Sequence, residues 1–179
     1  MLGFDFDDHR LRDVAAEYDA TPKQIDLSQK RAVKRTAGTI RRLSSKGLQT
    51  ELGLRNAKAL RRRIKEYRVG KGRNSLKIWF GANDLPFSAF KGRPRKVPGG
   101  IKFGETMVHG AFVAKVNGKR GVYQRTGDRS YPIIEATLPV ADRMMIYLED
   151  EVFVDVDNVF FKHFVSEIRA RTLLKVGNG

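Results

Sequence analysis

The stretch from His109 to Gly127, "HGAFVAKVNGKRGVYQRTG", carries the clearest local signal in the chain. Small and apolar residues alternate up to Asn117-Gly118, and the chain returns through Val122, Tyr123 and Gln124. Asn and Gly both tolerate the positive φ of a type I′ turn, so the pattern predicts a β-hairpin. Phe112, Ala114 and Val116 are expected to share one face of its first strand. Its basic tip, Arg125 to Arg129, has the composition to hold an anion.

N-terminal to the hairpin the period is helical. Thr21-Pro22-Lys23-Gln24 reads as a helix start: Thr21 caps, Pro22 suits the first turn, and Gln24 closes a capping box. Val33, Ala37, Ile40 and Leu43 then recur every three or four residues, predicting an inward face, and Gly47 is the expected stop. A second helix is expected from about Leu54 to Tyr67, with Leu54, Ala57, Leu60 and Ile64 inward and Arg55, Lys58, Arg61, Arg62 and Lys65 outward.

The period then shortens. "SLKIWF", Ser75 to Phe80, predicts a strand with Leu76, Ile78 and Phe80 on one face and Lys77 and Trp79 on the other. "DLPFSAF" suggests another short extended piece. Residues 91–104, "KGRPRKVPGGIKFG", combine five bases, two prolines and four glycines and read as a mobile loop. Beyond the hairpin, helices are expected from about Val140 to Glu151, with Met144, Met145 and Leu148 as its stripe, and from near Asp157, burying Phe160, Phe161, Phe164 and Ile168. Helices, then strands, then helices imply an α+β fold. Length suits one domain, residues 21–179, preceded by an acidic arm at 1–20.

The formal charge is +15 over 179 residues, and its placement is informative. Leu27 to Lys77 holds 17 Lys and Arg against Glu51 and Glu66, so this segment alone accounts for the whole excess. The first nineteen residues hold six acids, and residues 135–157 hold seven. A basic middle between acidic ends fits either nucleic acid along the basic part or like subunits docking acid to base. The chain has no cysteine, which excludes disulfides, a thiol nucleophile and thiolate metal sites. No apolar run reaches the ~18 residues of a membrane span, and the acidic N-terminus does not read as a signal peptide.

Catalytic constellations are absent. His9, His109 and His163 fall in three different predicted elements and form no ligand spacing. Glu149, Asp150 and Glu151 cluster, but consecutive acids on a helix point in different directions and read as surface. "VGKGRNS" and "VPGGIKFG" lack the spacing of a nucleotide loop. No enzyme, metal or cofactor is expected. The segment "TIRRLSSKGLQTELGLRNAKALRRRI" has the outline of a helix-turn-helix, yet its Arg and Lys are spread along the helix rather than set at its start. That favours sequence-independent phosphate contact.

The order of segments resembles the minor tail protein Z family, the tail completion proteins of long-tailed, lambda-like bacteriophages. The resemblance rests on "GAF" before the turn, "RGVYQRTG" and the following "YPI", and spans roughly residues 27–174. It implies a non-enzymatic virion protein at the head-proximal end of the tail, with a long helix packed on a small antiparallel sheet. It further implies a ring, with the sixfold symmetry that tail architecture implies, and the tail terminator and head–tail connector as partners. In that frame the hairpin packs its apolar face under the long helix, and Arg125 and Arg129, with Glu149, Asp150 and Glu151, are interface candidates. Lys91, Arg93, Arg95, Lys96 and Lys102 are the first candidates to face passing genomic DNA non-specifically or, equally, to grip an adjacent acidic protein; Arg61, Arg62 and Arg63 are the second, weighted towards interface contacts. A sequence-tolerant nucleic-acid-binding protein built on the basic helix pair is the alternative. A nuclease using the acids of 149–157 is a weaker third.

Overall fold

The structure is a computed structural model and describes residues 7–68, 76–127 and 129–176. Its elements are helices and small antiparallel sheets, an α+β fold. The chain divides into two compact units rather than the single domain expected. One draws on Met1–Ser44, Ile64–Phe80 and Leu148–Gly179, the other on Ser45–Arg63 and Gly81–Tyr147.

The first unit is mainly helical. Helix α1 (Asp8–Glu17) is capped by Asp7, whose carboxylate accepts the His9 N–H at 2.9 Å. Leu11 and Ala15 are buried, so the acidic segment is a core helix and not an arm. Helix α2 (Pro22–Glu51) opens with the expected capping box. The Gln24 carboxamide oxygen accepts the Thr21 N–H at 2.9 Å, and Thr21 Oγ1 accepts the Gln24 N–H at 3.4 Å.

Val33, Ala37 and Ile40 are buried as expected. What α2 packs against differs from expectation. Ala32 and Val33 join Leu11 and Ala15 in one cluster with Phe160, Phe161, Phe164 and Ile168 of helix α5 (Val156–Thr172). This core is helix on helix, not helix on sheet. Along α2, Ser28, Ala32, Thr36, Ile40 and Ser44 form a buried row at four-residue intervals, the geometry of an i±4 ridge. The hydroxyls of Ser28, Thr36 and Ser44 have no hydrogen-bond partner among the described residues. Their small size, not their polarity, suits the seam.

Glu167 ties α5 to the basic helix. Its Oε1 accepts Arg35 Nη1 at 2.8 Å and its Oε2 accepts Arg171 Nη1 at 2.7 Å, with Arg31 Nε 3.9 Å away. Burial pushes the carboxyl pKa up, but the hydrogen bonds and charges of Arg171 and Arg35 outweigh it, and the net direction is down. His163, 3.1 Å from Thr39 Oγ1, is also lowered, by burial first and then by the charges of Arg35 and Lys162.

The second helix of the presumed pair is replaced by a single turn, α3 (Lys58–Arg61), and strand β1 (Ile64–Arg68). Strand β1 pairs antiparallel with β2 (Leu76–Phe80), Ile64 opposite Phe80. Leu54, Leu60 and Ile64 are buried as expected. Helical spacing identified the inward residues, but ladder pairing with β2 overrode the helix propensity of this Ala-, Leu-, Arg- and Lys-rich segment. The helix stop is displaced for a local reason. Gly47 lies within α2, in contact with the Tyr147 hydroxyl, where an added Cβ would collide. The chain reverses at Gly53 instead (φ 64°), where the Leu54 N–H reaches Gln49 O and the Gly53 N–H reaches Thr50 O, a Schellman pair.

The second unit is built on short strands. Strand β3 (Leu85–Pro86) pairs with β10 (Thr137–Leu138), followed by a 3₁₀ turn at Phe87–Ala89. Strands β4 (Arg95–Val97), β5 (Gly100–Phe103) and β6 (Thr106–His109) form one meander, so residues 91–104 are not a mobile loop. Pro98 and Gly99 (φ 82°) sit at the central positions of its first turn, the type II signature.

Strands β7 (Phe112–Val116), β8 (Lys119–Arg125) and β9 (Ile133–Glu135) form another meander, turning at Asn117 (φ 50°) and Gly118 (φ 79°) as expected. Its core face differs. Val113 pairs with Val122, and both pack with Ala111, Ala136, Phe87 and Ile101, whereas Phe112, Ala114 and Val116 lie on the opposite face. This core comes from strands and the 3₁₀ turn, not from the long helix. Helix α4 (Ala141–Tyr147) gives way to a π-helical turn at Leu148–Phe153 before α5. The wider turn interrupts the single expected helix; Met144 and Leu148, four residues apart, are buried, but Met145, next to Met144 and so turned about 100° from it, is exposed.

Replacing Ile40, 3% exposed, with Ala is expected to cost about 2–5 kcal/mol in urea unfolding. Arg41→Ala loses only a surface pair with Glu66 at 3.7 Å and should cost at most about 1 kcal/mol. Equal losses would place the buried face elsewhere.

Both lowered pKa values make the first unit less stable in acid. The Glu167 contribution is complete above the ordinary glutamate range and is lost as pH falls through that range to the lowered native value. His163 acts in the same direction, losing stability as pH falls below the ordinary histidine range. Glu167→Gln should therefore melt below the parent at neutral pH, with the gap closing on acidification. A constant gap would show that the carboxylate charge contributes nothing.

Candidate functional site

One cationic surface of the second unit starts where the chain crosses itself near Phe90. Leu54 bridges Phe90, the Arg55 N–H bonds Ala89 O at 2.9 Å, and the Lys91 N–H bonds Gly53 O at 2.7 Å. The Arg55 side chain completes the crossing. Its Nε donates to Phe90 O at 2.7 Å and its Nη2 to Gly92 O at 3.1 Å. Arg55, Lys91, Gly92 and Arg93 line one open, shallow depression. Arg55 was expected only as an outward helix residue. Its capture of two carbonyls nearly forty positions away leaves no mark in local sequence.

The β4–β5–β6 meander then fixes the remaining bases. Arg95 stands directly opposite Lys102, and Lys102 opposite Met107, so one face of the sheet presents both cations. Like charges so placed repel and are unfavourable unless an anion lies over them. Lys96 opposes Ile101 and belongs to the other face, at the sheet edge. All five loop bases, Lys91, Arg93, Arg95, Lys96 and Lys102, are exposed. They divide into Lys91 and Arg93, beside Arg55 and ahead of the sheet, and an Arg95–Lys102 pair and an edge Lys96 on a formed sheet rather than a reaching loop.

The three arginines after α3 are not equivalent. Arg61 and Arg62 are exposed. Arg63 instead reaches into the 83–84 segment, bonding Asn83 O and, at 3.0 Å, Asp84 O. It braces that segment and is a poor candidate for DNA or a partner. Because β1 replaces the second helix, these residues do not form the basic helix of a helix-turn-helix.

Arg125 lies over the Phe112 ring, 5.0 Å from its centroid, and both it and Arg129 are exposed. The residue between Gly127 and Arg129 lies outside the described residues. Glu149, Asp150 and Glu151 are exposed on the π-helical turn of the first unit, with Val154 just beyond them 74% exposed. Among the described residues no grouping of His, Asp or Glu suits a metal ion. His163 is engaged with Thr39, and His9 and His109 are exposed. The "VGKGRNS" segment lies outside the described residues. No described helix is long and apolar enough to cross a membrane.

The described surfaces therefore present exposed ammonium and guanidinium groups, in part on a formed sheet, that can meet an anion. No family model matches the chain, and no curated protein or solved structure gives a match.

Arg63→Ala should lower the stability of the purified protein by roughly 1 kcal/mol, because two carbonyls lose a charged donor. Arg61→Ala and Arg62→Ala should stay within about 0.5 kcal/mol of the parent. Urea titration of the three variants checks this, and indistinguishable midpoints would return Arg63 to the surface set.

Proposed function

We propose that the chain is a structural virion protein, a tail completion subunit at the head-proximal end of a bacteriophage tail. In this reading it assembles as a ring with copies of itself, meets the tail terminator and head–tail connector, and lies along the path of the genome. The supporting observation is where the family-like motifs fall. "GAF" leads into β7, "RGVYQRTG" forms β8 and its tip, and "YPI" leads into β9, so all three belong to one sheet. A resemblance confined to scattered loops would carry less weight. The motifs are structural in kind, which suits a wall element with no catalytic part. The basic helix pair invoked for a general nucleic-acid binder lacks its second helix.

Charge segregation supplies the assembly mechanism. The acids of 149–151 on one copy face the basic surfaces of the next, so association weakens with salt. Reversing Glu149, Asp150 and Glu151 to Lys should abolish incorporation into tails while leaving the melting temperature of the subunit unchanged. Normal tails from that variant, seen by electron microscopy, would make the cluster ordinary surface.

Duplex DNA carries one phosphate charge per ~1.7 Å of axis, so a lining that gripped it tightly would obstruct ejection. Weak, salt-labile contact through Arg95 and Lys102 meets this constraint. Neutralising Lys91, Arg93, Arg95, Lys96 and Lys102 together should reduce both head–tail joining and the subunit's DNA affinity. Loss of joining at unchanged DNA affinity would instead make the sheet a protein-docking element.

A further inference from the structure

The front of the β1–β2 ribbon, in the first unit, plays no part in the surfaces above. Its register pairs Lys65 with Trp79 and Tyr67 with Lys77, so these four side chains share one face. Tyr67 is 48% exposed, Trp79 is 43% exposed, and both lysines are exposed. Lys65 Nζ lies 5.7 Å from the centre of the Trp79 ring.

The back of the ribbon is anchored within the same unit. Glu66 meets Arg41 of α2 at 3.7 Å, and Phe80 packs edge-on against Phe153 at 5.7 Å. Glu66 is the one acid in the two strands, and the anchoring turns it away from the front. Two large aromatic rings and two ammonium groups are thus presented to solvent with no carboxylate among them. Burial cannot account for the rings, since roughly half of each is in water.

We propose that this face binds single-stranded nucleic acid, with bases stacked on Trp79 and Tyr67 and phosphates meeting Lys65 and Lys77. The two rings are diagonal neighbours across the ladder, roughly 7 Å apart at the backbone, so adjacent unstacked bases can reach both. Every base has a π-face, and a lysine is a point charge rather than a fork, so the contact is indifferent to sequence. Duplex bases are already stacked on each other and are shielded from the rings, which makes the face selective for single strands. An acidic protein would satisfy the lysines but leave the aromatic faces without a matching partner. The proposal does not rest on the tail reading, and it uses residues outside the cationic sheet.

Trp79 is the only tryptophan in the chain, so its fluorescence reports this face alone. The full chain is titrated with an oligothymidylate of about 16 nucleotides, the upper site size of one single-strand-binding fold. Saturable quenching of Trp79 is expected, weakened by salt, with the duplex of equal length quenching little. Trp79→Ala, followed by fluorescence anisotropy of a labelled oligonucleotide, should weaken binding about tenfold, the loss typical of one stacked base. Trp79→Phe should retain most of the affinity, and Lys65→Glu with Lys77→Glu should remove the binding. Arg95→Glu with Lys102→Glu should leave the quenching intact. Because all these side chains are exposed, unchanged melting temperatures will show that the variants fold. Equal quenching by polyglutamate would overturn the proposal in favour of an acidic protein partner. Equal quenching by duplex, or oligonucleotide affinity unaffected by Trp79→Ala, would overturn it as well.

Discussion

A strongly cationic helix can be packed only along a face that carries no charge, and α2 solves this with a row of small side chains. Ser28, Ala32, Thr36 and Ser44 leave room for a neighbour to approach, while Lys30, Arg31, Lys34, Arg35, Arg41 and Arg42 lie off that row and are exposed. The phenylalanines of α5 and the apolar side of α1 fill the seam. Glu167 then offsets the arginines nearest to it, taking Arg35 and Arg171 on separate oxygens. The arrangement buries three hydroxyls that have no partner among the described residues, a cost accepted for close approach.

The second unit meets a different constraint. Its strands are too short to be stable as isolated ladders, so each sheet depends on shared side chains. Phe87, Ile101, Ala111, Val122 and Ala136 come from separate elements and meet in one cluster. Backbone crossings reinforce it: Arg55 holds Phe90 and Gly92, and Arg63 holds Asn83 and Asp84. Arginine thus has two uses here. Those braced on carbonyls are framework, and those left in solvent, such as Arg61, Arg62, Arg93 and Arg95, are available for an anion.

The distinction bears on function because charge alone does not identify a binding surface. Seventeen bases between Leu27 and Lys77 suggested one continuous cationic face. The structure distributes those among the described residues over a helix flank, a brace, a turn and the front of a ribbon. The Arg95–Lys102 pair and the Lys65–Trp79–Tyr67–Lys77 face differ in chemistry. The first offers charge alone; the second combines charge with aromatic surface.

The sequence by itself determined the features that depend on neighbours along the chain. The capping box at Thr21 and Gln24, the type I′ turn at Asn117-Gly118, the inward residues of α2 and the phenylalanines of α5 all follow from local backbone chemistry and periodicity. So did the α+β class. Tertiary structure decided whatever rests on distant partners. Residues 64–68 became a strand because β2 offered a ladder, and Gly47 stayed helical beneath Tyr147 while Gly53 took the left-handed stop. The basic Gly/Pro segment became a meander because its Pro-Gly turn was supported by β6 and a shared core. Arg63 and Arg55 became braces because carbonyls far along the chain came within reach. Exposed charge can be read from composition, but its assignment to framework or surface depends on contacts that exist only after folding.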